Sequence, residues 1–172
     1  MIFVPKFQDF LLHSLKIIHS VILLDFLIKN KLNANILSMK KAFIALVIIF
    51  GINILSLYYG WYLEWDWFDI TMHYLGGFFV AMFMAAYLKD RLVPEINIKN
   101  ILIVVGATLF VGVIWEFTEF IANQVLIEPF YRWFGIKTYF MGDLKDTIND
   151  LLMDTLGALT FMSLLFFSKK RV

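Results

Sequence analysis

Four long apolar stretches constrain this chain more than any other feature of its sequence. They cover residues 42–63, 68–88, 101–126 and 144–167. A helix needs ~20 mostly apolar residues to cross a bilayer, so each stretch is long enough to form one span. Hydrophobic residues make up 61% of the 172 positions, which is far above the usage of an ordinary soluble domain. The sequence therefore predicts an all-α integral membrane protein that forms a four-helix transmembrane bundle.

The N-terminal segment has a different pattern. Polar residues recur at three- or four-residue spacing along residues 6–20, with apolar residues between them. This pattern is typical of an amphipathic helix that lies in the membrane interface. The apolar run 17–28 leaves a fifth span open as an alternative, although its charged residues favour the interfacial helix. We therefore expect an amphipathic N-terminal segment over residues 1–38 and a four-span transmembrane domain over residues 39–172.

Charge and cysteine content exclude other classes of protein and site. The net charge is only +1, which argues against nucleic acid as a partner. The chain has no cysteine, so neither a disulfide framework nor a thiolate metal site can form. The expected partners are membrane lipids.

Basic residues are concentrated on one side of the predicted bundle. They precede the first span, connect the second to the third and follow the fourth: Lys40, Lys41, Lys89, Arg91, Lys99, Lys169, Lys170 and Arg171. The opposite connections hold fewer basic residues and the tryptophans expected at a membrane interface: Trp61, Trp65, Trp67 and Trp133. Lys and Arg accumulate on the cytoplasmic side of membrane proteins. The sequence thus predicts a multi-pass protein of the cell membrane with both termini in the cytoplasm.

Ionisable residues occur at matching depths in three of the predicted spans. Depth was counted from the basic ends of the spans at ~1.5 Å per helical residue. The level at ~22–25 Å comprises His73, Glu116 and Asp154. The level at ~28–30 Å, nearer the outer surface, comprises Asp69, Glu119 and Asp150. This agreement between independent spans indicates a polar site inside the bundle, toward its extracytoplasmic side.

Helical spacing places these polar residues on one face of each span. Residues three or four positions apart share a helix face. Each polar face continues into a glycine, namely Gly77, Gly112 or Gly157. Small residues let membrane helices approach closely, so we expect the three glycines to form a packed floor beneath an acidic cavity. The aspartates of the last span would then face other polar side chains rather than lipid.

The charge of this cavity limits its chemistry. Neighbouring carboxylates in a poorly hydrated cavity cannot all ionise without a compensating cation, and no Lys or Arg is expected at either level. Either some carboxyls are protonated or a divalent metal ion is bound. An oxygen-rich site suits Mg²⁺, Mn²⁺ or Ca²⁺, while one imidazole with two carboxylates also suits Zn²⁺ or Fe²⁺. The candidate metal ligands are His73, Glu116, Glu119, Asp150 and Asp154.

Asp69 and Asp146 are the remaining candidates, as a catalytic base or as residues that orient a ligand. Asp146 and its neighbour Asp143 also fit the ordinary role of acidic residues in the first turn of a helix. His73, taken alone, also fits a hydrogen-bonded packing residue.

Three classes of function are compatible with an acidic site inside a membrane. The first is a metal-dependent hydrolase, in which a metal-activated water attacks an ester, phosphoester or amide of a lipid or lipid-linked substrate. The second is an ion- or proton-coupled carrier, which needs a polar path to the cytoplasmic side, where these spans offer few polar residues. The third is a non-catalytic lipid-binding or structural membrane protein, which would tolerate neutral amides in place of the carboxylates.

Three segments of the chain carry a family resemblance. HYLGGF, WEFTEF and MGDLKDTINDLLMDTLGAL resemble, in order and spacing, the motifs of the YjdF-like bacterial inner-membrane proteins. The resemblance covers residues 69–158, with no recognisable match before it. A weaker similarity reaches the VanZ-like proteins, which also combine a His on one helix, a Glu on the next and an Asp-rich start of the last. The resemblance implies a multi-pass inner-membrane protein and no particular reaction.

Overall fold

The structure, a computed structural model, describes residues 34–93, 97–140 and 142–169. Over these ranges the chain forms helices joined by short connections, and no strand occurs in them. The helices are α1 (Ala34–Tyr59), α2 (Trp61–Glu64), α3 (Asp66–Tyr87), α4 (Ile98–Val125), α5 (Ile127–Phe134) and α6 (Leu144–Lys169). A short 3-10 helix, Lys89–Arg91, follows α3.

Within the part of the chain that the structure describes, four helices are long and apolar enough to cross a membrane. The spans are Met39–Tyr59, Trp67–Tyr87, Ile98–Val125 and Leu144–Phe167. Large apolar side chains cover their outer surface, and Phe110 and Phe117 are 67% and 64% exposed. Such a surface would be a liability in water and is suited to lipid. The predicted four-helix membrane bundle is confirmed.

The first span ends earlier than its apolar sequence predicts. The prediction over residues 42–63 was wrong at its C-terminal end, because α1 stops at Tyr59. Gly60 follows with a φ of +72°, in the left-handed region that only glycine adopts without steric cost. The chain turns there and continues as the separate short helix α2.

Aromatic rings gather where α1, α2 and α3 meet. Trp61 stacks on Tyr59 at a centroid distance of 5.8 Å and on Trp65 at 5.7 Å. Trp65 in turn stacks on Trp67 at 5.8 Å. We call this end of the bundle, formed by residues 60–65, 126–140 and 142–143, the aromatic end. Tryptophan at the end of a span is typical of the membrane–water interface.

The connection between the third and fourth spans contains a helix that sequence reasoning missed. Residues 127–134 form α5, and Trp133 on it is 70% exposed. Pro129 is compatible with this helix because it lies in the first turn, where a backbone N–H has no helical partner. Gly135 ends α5 with a φ of +68°.

Helices α3, α4 and α6 form the closely packed part of the bundle. The pair of α3 and α6 has the most extensive interface, and α4 packs against both. The rings of Phe78 on α3 and Phe161 on α6 meet edge-on at 5.6 Å. The hydroxyl of Tyr74 donates a hydrogen bond to Thr160 at 3.0 Å, which joins the same two helices.

Glycines permit this close approach, as predicted. A Cβ atom added to Gly77 would lie 2.5 Å from the Cα atom of Asp154, and one added to Gly157 would lie 2.7 Å from the backbone nitrogen of Phe78. A Cβ atom on Gly112 would overlap the carboxylate of Asp154. The packed floor beneath the acidic residues therefore consists of backbone in direct contact.

Helix α1 is attached less closely than the other three spans. Its contacts include the ring of Phe50 against that of Trp115, at 6.3 Å, and a hydrogen bond of 2.8 Å from the Asn53 amide to the Tyr62 hydroxyl. This arrangement leaves a cleft between α1 and its neighbours α3 and α4.

Residues 1–33 lie outside the described residues. The predicted amphipathic helix of the N-terminal segment and the boundary between residues 38 and 39 therefore stay predictions. Within the described part, α1 already begins at Ala34, ahead of the proposed boundary.

Candidate functional site

His73 stands at the centre of a group of carboxylates inside the bundle. Its Nε2 atom lies 3.7 Å from Oδ1 of Asp69 and 3.9 Å from Oδ1 of Asp150. Its Nδ1 atom lies 3.7 Å from Oδ1 of Asp154. The His73 side chain is 6% exposed. Asp69 belongs to the same helix one turn earlier, whereas Asp150 and Asp154 come from α6, so the α3–α6 interface builds this part of the site.

These separations are informative because they are too long for hydrogen bonds. A nitrogen–oxygen hydrogen bond is ~2.7–3.2 Å long. Metal ligands lie ~2.0–2.6 Å from their ion, so two ligands of one ion can be up to ~4–5 Å apart. The two distances from Nε2 of His73, to Asp69 and Asp150, fall between these limits, which is compatible with groups around an ion.

Helix α4 adds two glutamates to the same centre. Ligand atoms of His73, Glu116 and Glu119 all lie within 4.8 Å of one another. The same holds for Asp69, His73 and Asp150. His73 belongs to both groups, so the two levels counted from the sequence meet at one imidazole.

Glu116 has an unusual environment. The residue is 5% exposed, and neither of its carboxylate oxygens has a hydrogen-bond partner. The hydroxyl of Thr147 on α6 is also buried and lies close enough to interact with the Glu116 carboxylate, but outside hydrogen-bond geometry. A buried polar group without a partner costs ~1–3 kcal/mol, and more when it is charged. Such groups are rare in folded proteins and call for a specific explanation, of which an ion is one.

Glu119 is better satisfied than Glu116. Its Oε1 atom accepts a hydrogen bond of 2.8 Å from the indole nitrogen of Trp115, one turn earlier on α4. This bond fixes one oxygen of the carboxylate and leaves the other available to the centre.

Basic side chains are absent from the centre in the described ranges. There, the ion pairs of these carboxylates are all with His73. A separate pair joins Arg132 to Glu128 on the exposed surface of α5. The expectation that neither Lys nor Arg lies at the level of the carboxylates is met by the part of the chain that the structure covers.

Asp143 and Asp146 lie at the start of α6 and belong to neither ligand group. Oδ1 of Asp143 accepts hydrogen bonds from the backbone nitrogens of Lys145 and Asp146, at 2.9 and 3.1 Å. Asp143 therefore caps the helix, which agrees with the first-turn interpretation. Oδ2 of Asp146 accepts from the backbone nitrogen of Gly142 at 3.0 Å. A catalytic role for Asp146 stays a prediction.

Three residues beside the centre were missed by sequence reasoning: Tyr62, Trp115 and Thr147. Tyr62 fell inside the first predicted span, residues 42–63, which has no acidic or histidine residue at the two levels and so was not assigned to the cluster; the structure puts Tyr62 on the short helix α2. Burial, with Asp69 nearby, raises the pKa of the Tyr62 hydroxyl far above its ordinary value. Trp115 carried a signal in the sequence, because it precedes Glu119 by four residues and so shares its helix face.

Fold and site together define an integral membrane protein with a buried acidic cluster shared by three of its four spans. A family model described as "Predicted membrane protein (DUF2238)" matches residues 3–171, and the chain belongs to this family. The YjdF-like proteins are this family, so the main resemblance is confirmed. The match also includes the N-terminal segment, so a match limited to residues 69–158 was too short.

The similarity to VanZ-like proteins has no support in the comparisons. No match was found among curated proteins or among solved structures.

Proposed function

We propose that this protein binds a divalent metal ion at the acidic cluster and uses it to hydrolyse a membrane lipid or a lipid-linked substrate. The observation that carries the metal site is Glu116, whose two buried oxygens lack partners in a cluster with one imidazole and no basic side chain. A cation would supply the missing partner and offset part of the cluster's negative charge.

The geometry favours a particular division of roles around His73. A metal-bound histidine commonly donates its other ring N–H to a carboxylate, which orients the ring. Nε2 faces both Asp69 and Asp150, so we assign these three groups to the ion. Nδ1 faces Asp154 at 3.7 Å, which is longer than a hydrogen bond, and we assign Asp154 as the carboxylate that would accept the Nδ1–H when an ion is bound. Compared with the sequence-based expectation, Asp69 and Asp154 exchange roles in this proposal.

The two glutamates would complete the oxygen ligands from α4. Mg²⁺, Mn²⁺ and Ca²⁺ prefer such ligands, and the imidazole also admits Zn²⁺. When bound, the ion would supply a Lewis acid and an activated water. Asp146, partly buried at the start of α6, is left as the candidate base on the side of the aromatic end.

Orientation of the site belongs to the same proposal. The basic residues on the connection between α3 and α4 favour a cytoplasmic position for that side. The cluster lies nearer the aromatic end, so it would face the extracytoplasmic leaflet. A cysteine substituted at Lys137 should then react with an impermeant thiol reagent on intact cells, and one at Lys99 should not. The reverse pattern would move the site to the cytoplasmic side.

Metal analysis of the purified protein tests the central claim. We expect a divalent ion to co-purify with the wild type, or to bind when added, and to stabilise the protein against heat. Glu116→Gln keeps the size of the side chain and removes its charge, so it should strongly weaken metal retention. Glu128→Gln is the matched control, because it makes the same change on an exposed carboxylate of α5. Equal metal content in the two variants would contradict the assignment of Glu116.

The carrier alternative gives a different result in the same experiment. A proton-coupled carrier would have no metal-dependent stability, and its stability would change with pH as buried carboxyls exchange protons. Wild-type protein that is unaffected by chelator and by added Mg²⁺, Mn²⁺, Ca²⁺ or Zn²⁺ would refute the metal proposal.

A further inference from the structure

A cleft of about 280 Å³ lies between α1, α3 and α4 and opens onto the acidic cluster. Its walls are mostly apolar and include Leu46, Phe50 and Val80. His73 and Asp154 line it at one end. Pockets for whole drug-sized ligands begin at ~300 Å³, so this cleft has room for part of a larger molecule.

The polar side chains on the walls of the cleft already have partners within the protein. Asn53 donates to the hydroxyl of Tyr62 at 2.8 Å. Thr108 donates to the backbone of its own helix at 2.9 Å. Trp115 donates to Glu119 at 2.8 Å. An occupant would therefore find apolar walls along the cleft and polar groups in need of partners only at the end where the cluster lies.

The position and length of the cleft restrict the occupant further. Seven residues of α3 separate His73 from Val80, which corresponds to ~10 Å, or a third of the ~30 Å hydrocarbon core of a bilayer. Both residues lie within a predicted span, where the surrounding medium is lipid hydrocarbon. The loose attachment of α1 leaves the cleft reachable from the side.

We propose that the cleft holds one acyl chain of a membrane phospholipid, whose ester and head group then lie at His73 and Asp154. This inference rests on the proposed metal site and specifies its substrate class as a glycerophospholipid that enters sideways from the bilayer. The carboxylates and a lipid phosphate are both negatively charged, and the divalent ion at the cluster would reduce the repulsion between them. The chain points away from the aromatic end, toward Val80 and Leu46.

Photo-crosslinking tests this arrangement directly. The full-length protein in detergent micelles is mixed with a phosphatidylcholine probe that carries a diazirine on one acyl chain. A diazirine next to the ester should label the wall near Asn53 and Trp115. A diazirine at the methyl end should label Leu46 and Val80. Both labels should be competed by unlabelled phosphatidylcholine, as expected of a site and not of bulk lipid.

Filling the cleft should remove the label. A Cβ atom on Gly76 would have its nearest neighbour, Oδ1 of Asp154, at 3.9 Å, so a larger side chain there can extend into the cleft without an initial clash. Gly76→Leu should therefore lose most of the competable label. Gly106→Leu is the matched control, since a Cβ atom there has no neighbour within 4 Å and the residue is exposed. Gly76→Ala adds a smaller side chain and should lose part of the label. This variant replaces Gly76→Leu in the test if the leucine variant does not fold.

The outcomes separate this inference from the metal proposal. Uniform labelling of all lipid-facing helices, labelling in the reverse order along the cleft, or equal labelling of Gly76→Leu and Gly106→Leu would overturn it. Metal content is measured on the same samples. If the protein contains metal but the cleft is not labelled, only the acyl-chain site is refuted. If the cleft carries competable label but the protein contains no metal, the proposed function is refuted and the position of the acyl chain in the cleft is supported.

Discussion

Substitution of Gly77 by alanine should separate the two helices that carry most of the site. The new Cβ atom would lie 2.5 Å from the Cα atom of Asp154, whereas carbon atoms in favourable contact are ~3.5–4.0 Å apart. The neighbouring atoms belong to the backbone of α6, so a side-chain rotation cannot relieve the overlap. The helices must instead move apart by about 1 Å.

The expected loss of stability follows from two opposing terms. Inserting a methyl group into a closely packed interface costs ~1–3 kcal/mol. Replacing glycine by alanine in a helix recovers ~0.4–1 kcal/mol through the unfolded state. Because the overlap involves backbone, we expect the upper part of the first range and a net loss of about 2 kcal/mol. For a chain of this length that corresponds to a decrease in Tm of roughly 4–8 °C.

Thermal unfolding of the detergent-solubilised protein measures this effect. Gly106→Ala is the control, because its Cβ atom would meet nothing within 4 Å, and it should be neutral or slightly stabilising. Gly157→Ala approaches the same interface from α6 and should resemble Gly77→Ala, with less than additive loss in the double variant. If Gly77→Ala is as stable as Gly106→Ala, the close approach of α3 and α6 described above is incorrect.

Three further predictions concern single side chains. Asp143→Ala removes the N-cap of α6 and should lower the free energy of unfolding by ~0.5–2 kcal/mol, measured by thermal unfolding; an unchanged Tm would show that the cap contributes nothing. The pKa of the Tyr62 hydroxyl is raised in the folded protein, so this hydroxyl ionises at a lower pH in the unfolded chain. The free energy of unfolding should therefore fall as pH rises above ~10. Ultraviolet titration should show that Tyr62 ionises late and that Asp69→Asn lowers its pKa, and a Tyr62 that ionises near its ordinary pKa of ~10 would contradict its burial. Trp115→Phe removes the donor to Glu119 and should weaken metal binding by ~10–100-fold in a direct binding measurement, while equal affinity would leave this hydrogen bond without a role in the site.

The spans and the cluster were predictable because both depend on regular helices. Hydrophobicity alone located four spans, and the fixed rise per residue then placed ionisable residues at common depths. His73, Asp69 and Asp150 duly lie together in the structure. The glycine floor was also predictable, since Gly77 continues the polar face of its helix.

Other features depended on information that periodicity does not contain. The end of α1 is set by the left-handed backbone of Gly60, which an apolar run on both sides conceals. Helix α5 was missed because Pro129 suggests a break, although it is acceptable in a first turn. Tyr62 reaches the cluster from the short helix α2, which the sequence did not separate from the first span. The pairing of each His73 nitrogen with its carboxylates depends on side-chain directions that only a three-dimensional structure provides.

The distribution of the cluster over three helices has a consequence for how the chain enters its membrane. During synthesis α3 and α4 emerge before α6, so Asp69, His73 and both glutamates must be accommodated before Asp150 and Asp154 exist. Each charged residue near the centre of an inserting helix costs ~2.5–3.5 kcal/mol on translocon scales. Helix α6 carries two residues of the cluster, as α3 and α4 do, but its partner surface is already present when it emerges. We expect its insertion to depend on the completed α3–α4 pair, so that a chain truncated after α4 or altered at that surface is recognised and degraded by membrane quality control.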